Sequence, residues 1–447
     1  MKKILGVLVF LALAYFYYSF FINRLDTKDT AFFGGDTWEY QSMGVNFAKG
    51  HGIQKFGAME PFDTYKFEKI TPLPDYYQEF FQDAGSDDFN RTPAYPYFLG
   101  LIYTFLGISP HIAKIAQLLL LIIIAAGLPF VGYFYWGIPG FLAGIPAGAL
   151  YMATDYKLAG LILTEPLIAF SVFFFMLAFM LFEASPRKLT AFVLGLSMGF
   201  ALLVKGSLVF IPILAIGLLL VKAILHKNKE EWIRLLVVIV ATYVTIFPWS
   251  AYASRISGDF VLLSTQGTNQ ILADNNELCI DGDWHQEWVK NPAAFYYNDG
   301  IDKSHALQKV VNFYVHNPEL FPRCMYAKFR KGYKALMFMW IFLGFLALDL
   351  LARFLGRLAK SKSIFFTVWQ LKPWVPASMW IAALNFLLVT LVFHAESAPG
   401  ITPSRLVAPM DFIWVFLCCF AFINIIANLY RFYFPPRTRR PARQRRR

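Results

Sequence analysis

Apolar runs of about 20 residues recur along most of this 447-residue chain, and they constrain its fold more than any other feature. A helix of about 20 apolar residues is long enough to cross the hydrocarbon core of a bilayer. Hydrophobic residues make up 57% of the chain and charged residues only 16%, which excludes an ordinary soluble domain. The sequence therefore predicts an all-α polytopic membrane protein.

About ten spans are predicted, and the charges of the short loops orient them. Basic residues accumulate in alternate loops, such as the one that contains Arg187 and Lys188, and in the arginine-rich tail. This pattern places those loops and both termini in the cytoplasm, and predicts a multi-pass protein of the plasma membrane. The predicted spans are 4–23, 112–135, 138–154, 160–182, 189–204, 206–225, 232–251, 332–352, 373–393 and 408–430.

One apolar segment, from Arg91 to Pro110, is predicted not to cross the membrane. Its uninterrupted apolar core, Ala94 to Leu106, has about 13 residues, whereas a crossing helix needs roughly 17–25. Counting this segment as a span would also move every later basic loop to the outside. We therefore predict a juxtamembrane helix that lies on the outer face.

This topology divides the chain into four parts. Residues 1–252 form an N-terminal membrane bundle that includes a large outer loop, 24–110. Residues 253–331 form a second extracytoplasmic segment with an alternating stretch, DFVLLST, and several turn-forming sequences. Residues 332–430 form the C-terminal membrane helices, and residues 431–447 form a basic cytoplasmic tail. Such a tail suits anionic lipid headgroups or sets topology, so we expect no nucleic-acid partner.

The four cysteines fall into two groups. Cys279 and Cys324 both lie in the second outer segment, where an oxidising compartment would permit a disulfide, and pairing stays open. Cys418 and Cys419 lie within the last span and are interpreted as apolar filler. No His/Cys spacing typical of a metal site is present in the sequence.

Ionisable side chains gather at the predicted outer ends of the spans. Charged groups at membrane depth are costly, so they usually mark a site or a pathway. Carboxylates can accept a proton, and lysine or arginine can hold an anionic group such as a phosphate. The candidate catalytic residues are Asp36, Glu39 and Asp155, and the candidate binding residues at these ends are Glu165, Lys205, Arg255, His394 and Arg405.

Several candidates also have a structural interpretation, and Arg255 could simply lie on the surface. Asp36 follows a glycine and could cap a helix, while Glu165 precedes a proline, which is typical of a helix start. The side chains of Lys205 and Arg405 could simply extend to the membrane interface, and His394 is more typical of a structural residue. The shared outer face of these residues, and no single one of them, favours a functional site.

A set of short motifs follows the first span in a fixed order. Asp36 is followed by Tyr40, then by a small-residue stretch that ends in GHG, and then by the segment RTPAYP, which contains Arg91 and Tyr95. A Glu-Pro pair begins at Glu165, and a Pro-Trp pair begins at residue 248. In order and spacing, these motifs resemble the GT-C glycosyltransferases of the protein O-mannosyltransferase and lipid A aminoarabinose transferase type, over residues 1–275.

The resemblance implies a multi-helix fold with an active site at the outer leaflet. It implies a sugar donor carried on a polyprenyl phosphate, transfer that inverts the anomeric centre, and Asp36 as the catalytic base. Tyr40, Arg91 and Tyr95 would then bind substrate. No metal cofactor is obligatory, although a divalent cation that bridges Asp36 and another acid stays open. The acceptor stays open as a glycolipid, a glycan or a protein hydroxyl.

The chain departs from the family pattern in several places. The family often has arginine or a second acid where this chain has Lys205 and Asp155, and the usual Arg-Tyr pair before the last helices is replaced by Ser404 and Arg405. The large soluble C-terminal domain of some relatives has no counterpart in this sequence. The phosphate-binding details are therefore left open by the resemblance.

Two other classes of protein act on lipid-linked glycans. A transporter or flippase would place polar groups at mid-membrane, often with internal repeats and broken helices. A polysaccharide polymerase or ligase also uses outer-face arginines, but it would not explain Asp36 together with the RTPAYP segment. Both remain as alternatives to the glycosyltransferase.

Overall fold

The computed structural model describes residues 2–25, 34–53, 89–265, 271, 275, 306–332, 337–359, 376–392 and 408–433. Every regular element within these ranges is helical, which confirms the all-α prediction. The α-helices are α1 (Lys2–Phe21), α2 (Gly34–Ala48), α3 (Ala94–Leu106), α4 (Pro110–Trp136), α5 (Ile138–Asp155), α6 (Glu165–Ala184), α7 (Lys188–Val204), α8 (Phe210–His226), α9 (Lys229–Ser257), α10 (Ala306–His316), α11 (Leu320–Gly332), α12 (Met337–Ala359), α13 (Ala377–Val392) and α14 (Asp411–Tyr433). Short 3-10 helices lie at Ile22–Arg24, Tyr156–Gly160, Gly206–Val209 and Ala408–Met410.

The protein is a polytopic helical membrane protein. Among the described residues, 6 helices are long and apolar enough to cross a bilayer by themselves. These candidates are Ile4–Arg24, Pro110–Trp136, Glu165–Ala184, Gly206–His226, Lys229–Ser257 and Asp411–Tyr430. The other predicted spans coincide with α5, α7, α12 and α13, so each predicted span has a helical counterpart.

Two features of the sequence interpretation change in the structure. The span predicted at 160–182 begins at Glu165, because residues 156–160 form a 3-10 helix and Leu161 is extended. The alternating stretch 259–265 is irregular and lies against the end of α9, where the Ser254 hydroxyl accepts a hydrogen bond from the Val261 amide at 2.8 Å.

The described parts of the second outer segment that have regular structure are helical, and Cys324 in α11 is disulfide-bonded. Cys279, its candidate partner, lies outside the described residues.

The centre of the bundle is a tight hairpin between α4 and α5. The chain reverses at Gly137, whose φ of 65° favours glycine. Next to the turn, a Cβ added to Gly132 would lie 2.1 Å from the carbonyl oxygen of Gly140, so the two backbones touch. Small residues permit this close approach. In a bilayer the hydrophobic effect does not drive helices together, so close van der Waals packing of this kind stabilises their association. The hairpin fixes the position of the start of α4 relative to the end of α5.

Helix α3 packs across α2 and does not have the length of a span. It has 13 residues, or roughly 20 Å, against the roughly 30 Å of a bilayer core. A Cβ on Gly100 would lie 2.3 Å from the ring of Phe47 in α2, so the helices are in close contact. One face of α3 is buried and the opposite face exposes Leu101 and Phe105. This geometry agrees with the predicted juxtamembrane helix, whose membrane side stays a prediction.

Candidate active site

The site is built around Arg91, which binds two carboxylates of α2. Asp36 and Glu39 lie one turn apart at the start of α2, so their side chains share a face of that helix. The Arg91 Nε donates to Glu39 Oε2 at 2.5 Å, and its terminal nitrogen donates to Asp36 Oδ1. Arg91 thus joins Asp36 and Glu39, and all three residues were candidates from the sequence.

The three charges are shielded from solvent to different degrees. The side chain of Arg91 is 10% exposed, that of Glu39 is 16% exposed and that of Asp36 is 27% exposed. Burial lowers the pKa of the Arg91 guanidinium, but the charges of Asp36 and its neighbours on α2 raise that pKa by more, so it lies well above the usual arginine value. Arg91 therefore stays a cation, and the most accessible member of the cluster is a carboxylate.

Two buried aromatic rings lie beneath the arginine. The guanidinium carbon of Arg91 is 5.5 Å from the centre of the Tyr40 ring, within the range of a cation–π contact. Tyr40 meets Tyr95 edge to face, with ring centres 4.9 Å apart and an interplanar angle of 86°. The Tyr95 hydroxyl donates to Gln117 Oε1 at 2.6 Å. The candidate residues Tyr40 and Tyr95 thus form a chain of contacts between Arg91 and Gln117 in α4.

The segment that carries Arg91 is tied to the bundle on both of its sides. The Thr92 hydroxyl donates to the carbonyl of Val204, at the end of α7, at 2.8 Å. This bond places Lys205, the residue after Val204, beside the segment. On the other side, the Thr265 amide donates to the carbonyl of Phe89 at 2.9 Å. The sequence could not show these contacts, because they join residues more than 100 positions apart.

The remaining described candidates lie at helix ends. Glu165 is buried as the first residue of α6, ahead of Pro166, which agrees with its structural interpretation as a helix start, while its substrate-binding role stays a prediction. Arg255 is exposed in the last turn of α9. Lys205 is the C-cap residue of α7. His394 and Arg405 lie outside the described residues.

Asp155 interacts with a second acid. It is buried at the end of α5, where it interacts electrostatically with Asp411, the first residue of α14. Its Oδ1 has no hydrogen-bond partner in the part of the chain that the structure describes. Within the described residues, Asp155 interacts with Asp411, Tyr151 and Thr154, and its catalytic role stays a prediction.

Sequence reasoning missed two buried polar residues near the site. Gln117 and Lys114 are both fully buried on one face of α4, close to its start. Their three-residue spacing in the apolar stretch AKIAQLLLL was a usable signal, because polar groups within a span usually mark a site. Asp411 is a third missed residue, and its place beside Asp155 depends on the packing of α14 against α5.

A metal site is not visible in the described ranges. No group of three or more His, Cys, Asp or Glu residues that could hold an ion occurs there. Residues 26–33 and 54–88, which belong to the same outer loop as Asp36, fall outside those ranges. Both the expectation that no metal is obligatory and the open question of a bridging divalent cation therefore stay predictions.

An apolar cavity of about 480 Å³ lies beside the cluster. Helices α3, α6, α7 and α9 form its walls, with Phe98, Leu167, Leu203 and Trp249 among the lining residues. Pro93 also lines the cavity and is two residues from Arg91, just as Leu203 is two residues from Lys205. One side of the cavity is therefore next to cationic residues, while the lining itself is almost entirely apolar.

Comparison with known proteins gives only a distant likeness. No protein-family profile and no curated protein matches the sequence. Two crystal structures of ArnT from Cupriavidus metallidurans, one bound to undecaprenyl phosphate and one in the apo state, align with 96% of this chain. The alignments cover 77% and 78% of the ArnT chain in the two structures. The sequence identity is 14% in both, and the TM-scores are 0.40 and 0.41. A likeness this distant fixes neither the site residues nor the activity of the chain.

Proposed function

We propose that this protein is an integral membrane glycosyltransferase that moves a sugar from a polyprenyl phosphate to an acceptor hydroxyl on the extracytoplasmic face. The observation that carries the proposal is the cluster of Asp36, Glu39 and Arg91 at one end of a helical membrane bundle. An accessible carboxylate held by a buried arginine is suited to proton transfer from a substrate. The apolar cavity next to this cluster is suited to a lipid chain.

The chemistry assigns the base role to Asp36. The acceptor oxygen attacks the anomeric carbon while the bond from that carbon to the phosphate oxygen breaks, and the electron pair leaves with the polyprenyl phosphate. The acceptor's proton passes to Asp36, the more exposed acid of the cluster. Attack from the face opposite the leaving group inverts the anomeric centre. Arg91 orients the Asp36 carboxylate through a charge-assisted hydrogen bond.

The leaving phosphate needs fixed cations because its charge increases as the bond breaks. Lys205 is the best-placed described candidate, since the Thr92–Val204 bond holds its helix end beside the Arg91 segment. Arg255 at the end of α9 is a second candidate. Arg405 stays a candidate from the sequence alone, because it lies outside the described residues.

The cavity between α3, α6, α7 and α9 accounts for the lipid part of the donor. An isoprenoid chain is apolar and already lies in the bilayer, so it could enter such a lining without exposing apolar surface to water and would gain packing contacts there. Because Pro93 and Leu203 lie two residues from Arg91 and Lys205, a chain in the cavity would hold its phosphate near both cations. The acceptor, whether a glycolipid, a glycan or a protein hydroxyl, would then approach from the side of Asp36.

The location of the acids favours this enzyme over a flippase. A transporter binds its cargo near the bilayer midplane, whereas Asp36 and Glu39 lie in the first turns of a helix outside the predicted spans. Arg91 also precedes the short helix α3 rather than interrupting a long one.

The test is to follow the lipid-linked donor in cells that carry Asp36→Asn in place of the wild-type protein. The proposal predicts that one glycan or glycolipid loses its sugar and that the lipid-linked donor accumulates on the outer leaflet. An impermeant reagent that oxidises sugar diols detects that pool in intact cells. Accumulation only on the inner leaflet would indicate a flippase instead, and an unchanged donor pool with unchanged glycans would contradict both.

A further inference from the structure

A continuous set of contacts joins the buried Gln117 in α4 to the charged cluster. The Gln117 Nε2 donates to the carbonyls of Ala159 at 3.1 Å and Leu161 at 2.7 Å, in the turn that follows α5. Because two carbonyls face this nitrogen, the amide has one satisfactory orientation, with Oε1 towards Tyr95. The side chain is fully buried, so water does not compete for these bonds.

Tyr95 carries the contact from Gln117 towards the surface of the bundle. Its hydroxyl donates to Gln117 Oε1 at 2.6 Å, and its ring meets the Tyr40 ring edge to face at 4.9 Å. Tyr40 and Tyr95 are 1% and 0% exposed, so neither ring can move without displacing a packed neighbour. The Tyr40 ring then lies 5.5 Å below the guanidinium carbon of Arg91.

We propose that Gln117 is a positioning residue for sugar transfer, acting through Tyr95 and Tyr40 on Arg91 and hence on the Asp36 carboxylate. The inference rests on the proposed function and names a residue that the catalytic motif does not contain. A general base works only within hydrogen-bond reach of the proton that it takes. A displacement of about 1 Å at such a group can slow a reaction by roughly 10²-fold.

Gln117 also links the cluster to a second outer turn. Residues 159–161 follow the end of α5, while Tyr95 lies in α3, and Gln117 bonds to both. Neither leucine nor glutamate can reproduce this set of bonds. Leucine offers no hydrogen bond, and a glutamate carboxylate would set its oxygens against two carbonyl oxygens. Replacing Gln117 should therefore disturb the position of Tyr95 even if the bundle still folds.

The experiment compares Gln117→Leu, Tyr95→Phe and the double variant in purified protein, using the lipid-linked sugar donor. Each single variant is expected to lower kcat by about tenfold or more, with the donor KM within about twofold of wild type, because Lys205 and the apolar cavity, which would hold most of the donor, are not altered. The double variant should be no slower than Gln117→Leu alone, since both changes remove the same bond.

The matched control is Ser197→Ala in α7. Ser197 is also fully buried within a predicted span, and its hydroxyl donates to a carbonyl of its own helix, that of Leu194, at 2.7 Å. Its loss should affect thermal stability without a selective loss of kcat. Equal kcat losses in Ser197→Ala and Gln117→Leu, or independent and multiplying losses in Tyr95→Phe and Gln117→Leu, would overturn the positioning role.

A second readout separates this inference from the proposed function. If the wild-type protein transfers no sugar from any lipid-linked donor, the proposed function fails, but the contacts can still be tested by thermal unfolding. Tyr95→Phe and Arg91→Lys should then be coupled, so that the Tm loss of the double variant differs from the combined losses of the single variants. Strictly additive losses would show that Tyr95 does not act on Arg91.

Discussion

Arg91 is the residue on which the geometry of the site depends. Its guanidinium binds Asp36 through one nitrogen and Glu39 through another, and it lies over the ring of Tyr40. A lysine has one compact ammonium group and cannot reproduce this planar set of donors. Arg91 therefore orients the proposed base, Asp36.

Arg91→Lys should accordingly lower kcat by about 10–100-fold, because the loss of a planar donor misplaces the Asp36 carboxylate. The matched control is Arg234→Lys, since Arg234 pairs with Glu231 at 2.9 Å and is also largely buried, at 13% exposed, but in the first turns of α9. The control should keep wild-type turnover. Steady-state kinetics of both purified variants check this prediction, and wild-type kcat in Arg91→Lys would refute it.

At the scale of elements, the contact between α2 and α3 sets the distance between the two acids and Arg91. A Cβ on Gly100 would lie 2.3 Å from Phe47 Cδ1 and 2.8 Å from its Cβ, so even alanine forces the helices apart. We expect Gly100→Ala to cost about 1–3 kcal/mol of stability, through overpacking, and to lower transfer activity. Gly217→Ala is the control, because Gly217 also lies within a helix but has no atom within 4 Å of its Cβ position. Thermal unfolding and activity assays check the pair, and equal behaviour of the two variants would contradict the account.

The orientation of α3 is a separate prediction at this scale. Because α3 has only 13 residues, its two ends should face the same side of the membrane. Single cysteines introduced at Asn90 and Ile108, in a chain with serine at all four native cysteines, should both react with an impermeant maleimide added from outside. Reaction from opposite sides would make α3 a span and reverse the sidedness of every site residue that follows.

At the scale of the whole molecule, the cavity and the cluster act on different parts of one donor. Leu203→Trp should fill part of the 480 Å³ cavity. The variant should raise the KM for a long-chain donor several-fold, because that chain would need the cavity. The KM for a donor with a single short isoprenoid should change much less. Leu189→Trp, a change at an exposed residue near the start of α7, should affect neither donor. Kinetic constants with both donors provide the check, and an unchanged KM for the long donor would place its lipid chain elsewhere.

The sequence predicted the helices well because each span depends on a local apolar run of sufficient length. It also predicted that α3 is too short to cross, since length and loop charge are local properties. It could not show that Gln117 bonds to the turn after α5 or that Asp155 lies beside Asp411, because these pairs form only when distant helices pack. Asp36 and Arg91 were both singled out from motifs, but their ion pair became visible only in the folded chain.

The central claim is that Asp36 removes the proton of the acceptor hydroxyl. One measurement tests this claim most directly. Single-turnover transfer from a labelled polyprenyl-phosphate sugar is compared for wild type, Asp36→Asn and Asp259→Asn, a matched change at an exposed acid beyond α9. The account predicts that Asp36→Asn binds the donor normally but transfers at least about 10²-fold more slowly. It predicts that Asp259→Asn transfers at the wild-type rate. An Asp36→Asn rate above about a tenth of wild type would contradict the assignment, because general-base loss usually costs about 10²-fold or more.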